Sequence, residues 1–164
     1  MMLSWTSRPT EVAHLLNPAF CSVLLHEAVS GYEQELETGM PFALSFLVLP
    51  LVLHKPSRDV LPRTVATKFH SWVHNNQELR VDFHKRAEWL SPHTKESLHF
   101  GMRAGILVVL DEGLLSAPKH SCKDPGWPSQ TEPGTCRSSA RFVGRWFTRA
   151  GEAATIFAIL GVTP

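Results

Sequence analysis

The sequence predicts a mainly α-helical protein with a small β-hairpin: a winged helix-turn-helix-like domain with additional N- and C-terminal helices. Two observations lead to this. Three amphipathic stretches between residues 57 and 103 precede an apolar β-branched run, a turn and a second short apolar run, and three helices followed by a hairpin is the winged-helix order. Helix signals also flank this middle part on both sides. The 164 residues, 43% of them hydrophobic, suffice for one domain with its own core. Within 1–164 we expect an N-terminal helical part (9–55), the winged-helix-like part (56–117), a flexible Pro/Gly-rich loop (118–136) and a C-terminal helix (137–164).

Pro9 and Glu11 suit the start of a first helix, and Asn17-Pro18 reads as a cap followed by a first-turn proline. Phe20, Val23, Leu24, Glu27 and Ala28 then keep helical spacing up to a stop at Gly31, and residues 32–39 read as an exposed acidic connection. Pro41 opens a helix that is apolar all round and meets Pro50, a residue that kinks or ends helices. A strand over 46–49 is the alternative.

Residues 57–75 read as the next helix, with Val60, Leu61, Val65, Phe69, Trp72 and Val73 inward and Pro62 as its flaw. Residues 77–90 follow, with Leu79, Phe83, Ala87 and Leu90 inward. Ser91-Pro92 breaks this helix, and 94–103 forms the third. The hairpin pairs 106–110 with Leu114-Leu115 around Asp111-Glu112-Gly113. Six prolines and glycines between Pro118 and Gly134 mark the loop. Ser138 or Ser139 caps a last helix interrupted at Gly151, whose apolar end, 153–160, is expected to dock into the core.

Sixteen Lys+Arg against fifteen Asp+Glu leave a net +1, which excludes a general polyanion-coated protein. The balance shifts along the chain: residues 1–55 hold two basic and five acidic groups, residues 56–110 eight and five. An acidic first third beside a basic middle points to two contact surfaces. Three cysteines are too few for a disulfide scaffold and fit free thiols in a reducing compartment. Residues 1–9 hold no apolar export signal, and the longest apolar run, 41–53, falls short of the roughly 20 residues of a bilayer span. A cytoplasmic location without membrane association is expected.

No pattern of catalytic or cofactor-binding residues stands out. His26-Glu27 starts like a zinc-protease motif, but Ser30 stands where its second histidine belongs. His70 and His74 share a helix face without a third ligand in register, and His120, Cys122 and Cys136 lack paired Cys-x-x-Cys steps. Cys21 and His26 fall about 140° apart on a helix. There is no nucleophile elbow and no Gly-rich phosphate cradle.

The stronger signal is Arg137, Arg141, Arg145 and Arg149, one every four residues, with Phe142, Trp146 and Phe147 on the adjoining face. Arginine grips phosphates and carboxylates bidentately, so the stripe suits DNA backbone or an acidic protein, with a solvated helix face as the plain alternative. Trp146 beside Arg145 and Arg149 has the makeup of an interface anchor. Lys95, His99 and Arg103 repeat the four-residue spacing on the third helix, where a winged helix contacts DNA or protein. Protein contact ranks first, because net charge is modest and Glu96 interrupts the row.

Three stretches together resemble a family. They are Leu15-Leu16-Asn17-Pro18-Ala19-Phe20-Cys21 with His26-Glu27-Ala28, then Gly39-Met40-Pro41-Phe42 with Leu49-Pro50 and Val52-Leu53-His54-Lys55, and lastly Phe142-Val143-Gly144-Arg145-Trp146-Phe147 with Ala150-Gly151, Ala154-Thr155-Ile156-Phe157 and Gly161-Val162. The chain is similar to the middle component of bacterial three-component ABC systems over most of 9–117 and 139–164. The resemblance implies a non-enzymatic adaptor between an ABC/SMC-like ATPase and a third effector protein, in defence against phage or plasmid DNA. It also implies a winged-helix-type accessory subunit, and it transfers no catalytic residues and no cofactor. Two other readings compete: a stand-alone winged-helix DNA-binding regulator, and a small metal-dependent hydrolase built on the histidines.

Overall fold

The computed structural model describes residues 4–164; the first three residues of the stretch searched for an export signal lie outside it. The described chain is mostly helical, with one three-stranded antiparallel sheet. After a short turn and α1 (Thr10–Leu15) comes α2 (Pro18–Leu36). The Asn17 carboxamide oxygen accepts from the amides of Ala19 (2.8 Å) and Phe20 (3.4 Å), and Pro18 occupies the first turn, as the sequence implies. Strand β1 (Met40–Pro41) then leads into α3 (Ser45–Val52), buried along nearly its whole length, and α4 (Lys55–Asp59).

Helices α5 (Phe69–Asn75) and α6 (Gln77–Val81) precede the long α7 (Phe83–Arg103). The hairpin is β2 (Val108–Leu110) and β3 (Leu114–Ser116), with Val109 opposite Leu115, and β1 pairs on the other side of β3, giving the order β1-β3-β2. Helices α8 (Glu132–Phe147) and α9 (Ala153–Leu160) close the chain.

Several local expectations give way to packing. Gly31 does not end α2. The helix runs on to Leu36 because the bare Cα of Gly31 lets α8 approach; an added Cβ would meet the Arg141 carbonyl oxygen. Residues 32–39 are therefore largely helix, and Glu33 and Glu35 are half-buried. Pro92 does not break α7. It lies on the solvent face, where water can serve the carbonyl its ring frees, while Leu90, Thr94, Ser97 and Leu98 hold the buried face together. The helix expected over 57–75 is instead α4 and α5, separated by a connection that contains Pro62. The last helix starts at Glu132, not Ser138, with the Thr131 hydroxyl as its cap and Pro133 in its first turn.

The helices expected over 77–90 and 94–103 are thus mostly a single helix. The three helices that pack on one another are α2, α3 and α7, with the sheet beside them. Helix α8 lies along α2, and α3 touches both α7 and α8. Gly144 sits at the closest point of the α2–α8 crossing, where a Cβ would collide with the Ala28 carbonyl oxygen. Trp146 anchors the 60–75 segment. Its ring lies 4.7 Å from Phe69 and 5.3 Å from Trp72, and its indole N–H donates to the Thr67 carbonyl at 2.7 Å. Helix α9 docks through Ile156, Phe157 and Leu160, as the sequence leads one to expect.

The loop before α8 is tied down at several points. Trp127 packs on Phe20 at 5.3 Å between ring centroids, and Asp124 accepts from the Gly126 amide. Thr10–Leu36 is long and apolar enough to cross a membrane by length and composition. It is interrupted at the Asn17 cap, and much of α2 is buried against its neighbours.

Substituting Gly144→Ala forces α2 and α8 apart and should cost about 1–3 kcal/mol, the usual range for overpacking. Urea denaturation measures this, and an unchanged midpoint would remove the crossing as a constraint.

Candidate functional site

The arginine row lies on the side of α8 that meets α2. Arg137 donates from Nε to Glu27 at 3.0 Å and from Nη1 to Asp124 at 2.7 Å. Arg141 donates to the other Glu27 oxygen at 3.1 Å and to Gln34 at 3.0 Å. Arg145 donates to Glu35 at 2.7 Å, and Arg149 reaches the second Glu35 oxygen at 3.7 Å. Four guanidinium groups therefore meet three carboxylates, and most of the row's charge is neutralised within the chain. Glu27 is buried and holds two arginines at once. The acidic first third of the sequence is thus matched to α8.

Glu33, on another side of α2, accepts from the Ser116 hydroxyl at 2.6 Å and the Ala117 amide at 3.2 Å, fixing the exit of the hairpin. Trp146 is 0% exposed, so it is a core residue and not a surface anchor. Its place beside arginines in sequence misled because helical neighbours one residue apart face different ways.

Lys95, His99 and Arg103 are exposed along one face of α7. The acid beside them, Glu96, is held bidentately by Arg8 at 2.9 and 3.0 Å, so it does not neutralise the row. Lys95 reaches the rim of an apolar groove of about 650 Å³ walled by Phe42, Phe46, Ala87 and Phe157. His99 and Arg103 border a shallow depression with Pro18 and Phe100.

The other candidates stay dispersed. Among the described residues, no three or more His, Cys, Asp or Glu side chains gather as a metal site. His70 and His74 are exposed on α5. Cys136 is buried in α8, while His120 and Cys122 belong to the preceding loop. Burial pushes the Cys21 thiol up to about 12, away from nucleophilic thiolate chemistry. His26 points to Ser121 at 3.5 Å, and burial lowers its pKa.

Sequence reasoning missed Arg58. It is buried, donating to the Val52 carbonyl and to Glu132, both at 2.7 Å. No spacing signal marks it, because its partners come from the end of α3 and the start of α8.

The fold and surface define a small helical scaffold whose arginine row serves its own packing, while the row on α7 stays open. Over residues 5–164 the chain matches the family described as ABC-three component (ABC-3C) system Middle Component 3, and it belongs to that family. Neither the curated proteins nor the solved structures yield a match.

Arg137→Ala strips Glu27 of a charged hydrogen bond and should cost about 1.5–3 kcal/mol in urea denaturation. Arg149→Ala, at a long and exposed contact, should leave the midpoint unchanged. Equal losses would contradict the ranking given by burial.

The pH dependence has a definite sign. Burial lowers the pKa values of His26, His54 and His93 below the ordinary 6.5, so each favours the fold fully above 6.5 and loses that contribution as pH falls through its folded value. The hydrogen bond from Arg145 holds Glu35 below its ordinary 4.5, giving the same sign in a more acidic window. Melting temperature should therefore decline below 6.5 and again below 4.5. His26→Gln should flatten part of the first decline and Glu35→Gln part of the second.

Proposed function

We propose that this chain is the non-enzymatic adaptor of its three-component system. In this reading it joins an ABC/SMC-like ATPase to an effector protein, in bacterial defence against phage or plasmid DNA. It works in the cytoplasm as a single domain of winged-helix type. The observation that carries the reading is membership of the middle-component family across nearly the whole chain. The sequence has no Walker A motif, so ATP hydrolysis falls to the partner.

The winged-helix assignment draws on element order. Helix α2, strand β1, helices α3 and α7, and the hairpin follow one another, and β1 pairs with the second hairpin strand. Residues 53–82 are then an insertion between the second and third helices, and α8 and α9 are additions. This moves the assignment from 56–117 to the segment beginning at α2.

Helix α7 is the element such a domain turns toward its partner. We assign the contact to Lys95, His99 and Arg103, with the outer edges of Arg141, Arg145 and Arg149 as a second patch. DNA would be reached through the complex. The open row on α7 also favours the second reading, a stand-alone DNA-binding regulator.

Co-expression of the tagged chain with the ATPase and third protein of its own system separates the two. A defined complex is expected, weakened by Lys95→Glu/His99→Glu with the melting temperature retained. A chain that purifies alone from a well-expressed set, and binds duplex DNA with steep salt dependence, would overturn the adaptor reading.

A further inference from the structure

Strand β2 is a free edge of the sheet, and its three residues Val108, Val109 and Leu110 are 40%, 47% and 43% exposed. Proteins ordinarily blunt such an edge with a charge, a proline or a bulge, because its outward N–H and C=O groups invite another strand. None of these three devices interrupts β2, whose shortness, three residues, is its one protection.

Cross-strand neighbours share a face of the sheet, so Val109 stands on the same side as its fully buried partner Leu115. That side is core at β3 and open at β2. The apolar layer ends before the sheet does.

The strand is also flanked by opposite charges. Arg103 closes α7 before it, and Asp111-Glu112 form the turn after it. Among the described residues none of these three makes an ion pair.

We propose that β2 is a homotypic docking edge whose occupant is β2 of a second copy of this chain. The strands pair antiparallel, with Val109 against Val109 on the twofold axis and Val108 against Leu110 on each side. The two sheets become one of six strands. This register places both Val109 side chains on the same face, so each covers the other's open core margin. A slip of one residue would set the core side of one copy against the outer side of the other.

The same twofold carries the Arg103 end of each copy toward the acidic turn of its partner, whereas parallel pairing sets like charges together. The interface is isologous and closes at two copies. It shares Arg103 with the contact assigned to α7, and its apolar centre at Val109 lies outside that contact.

Light scattering on the full chain during size exclusion, at tens of micromolar, tests this. A mass twice the 18.3 kDa of one chain is expected. Val109→Lys should halve that mass, leave the circular dichroism spectrum unchanged, and melt at a temperature independent of protein concentration, where the wild type's rises with concentration. Arg103→Glu should weaken the dimer at low salt, and adding Glu112→Lys should restore it.

A wild-type chain that stays monomeric, or a Val109→Lys dimer as stable as wild type, overturns the proposal. A monomer that loses its co-purifying ATPase only on Val109→Lys also overturns it, assigning the edge to that partner. In none of these outcomes does the adaptor reading fail with it.

Discussion

At the crossing of α2 and α8 the two backbones touch, because Gly31 and Gly144 place no side chain between them. That proximity brings the carboxylates of α2 within reach of the arginine row, and the ion pairs fix the register of one helix along the other. The rest of the structure is arranged around this pair. Helices α3 and α7 pack on the remaining surface of α2, and Glu33 fastens the hairpin to it. On the far side of α8, Trp146 and Phe147 gather Phe69 and Trp72 into an aromatic cluster. Without the close approach, Glu27 would be a buried charge lacking partners, an arrangement far more costly than any single lost contact.

What the sequence made legible were features whose cause is local. The Asn17-Pro18 start of α2, the hairpin around Asp111-Glu112-Gly113 and the single face shared by the four arginines all follow from neighbouring residues. The docking of the apolar C-terminal helix followed from its composition. The misreadings share a different cause. Gly31 and Pro92 are breakers by propensity, yet each lies within a helix whose partners outweigh that propensity, while Pro133 stands in a first turn, where proline is favoured. The arginine row was visible, but its destination was not, because Glu27 and Glu35 lie over a hundred residues away. Trp146 was misplaced for the same reason: only the fold brings the 60–75 segment over it.

The distribution of charge bears on how a middle component meets its neighbours. The densest run of arginine is largely neutralised inside the chain, so it offers outward only the edges of half-exposed guanidinium groups. The row on α7 is the reverse case, sparse in sequence but open in space, its nearest acid occupied by Arg8. Density of charge along a chain is thus a poor guide to charge on a surface when an acidic helix lies elsewhere in the same sequence.

The pairing of Glu27 with Arg137 spans 110 positions. A chain emerging from the ribosome exposes α2 long before α8 exists, and during that interval the α8-facing side of α2 has no covering. The hairpin, α3 and α7 can assemble on the opposite side meanwhile, but the helix they lean on stays half-covered until α8 follows. Contacts of such sequence separation are the slow ones to form, and until they do the carboxylates of α2 and the apolar surface beside them stay open to water.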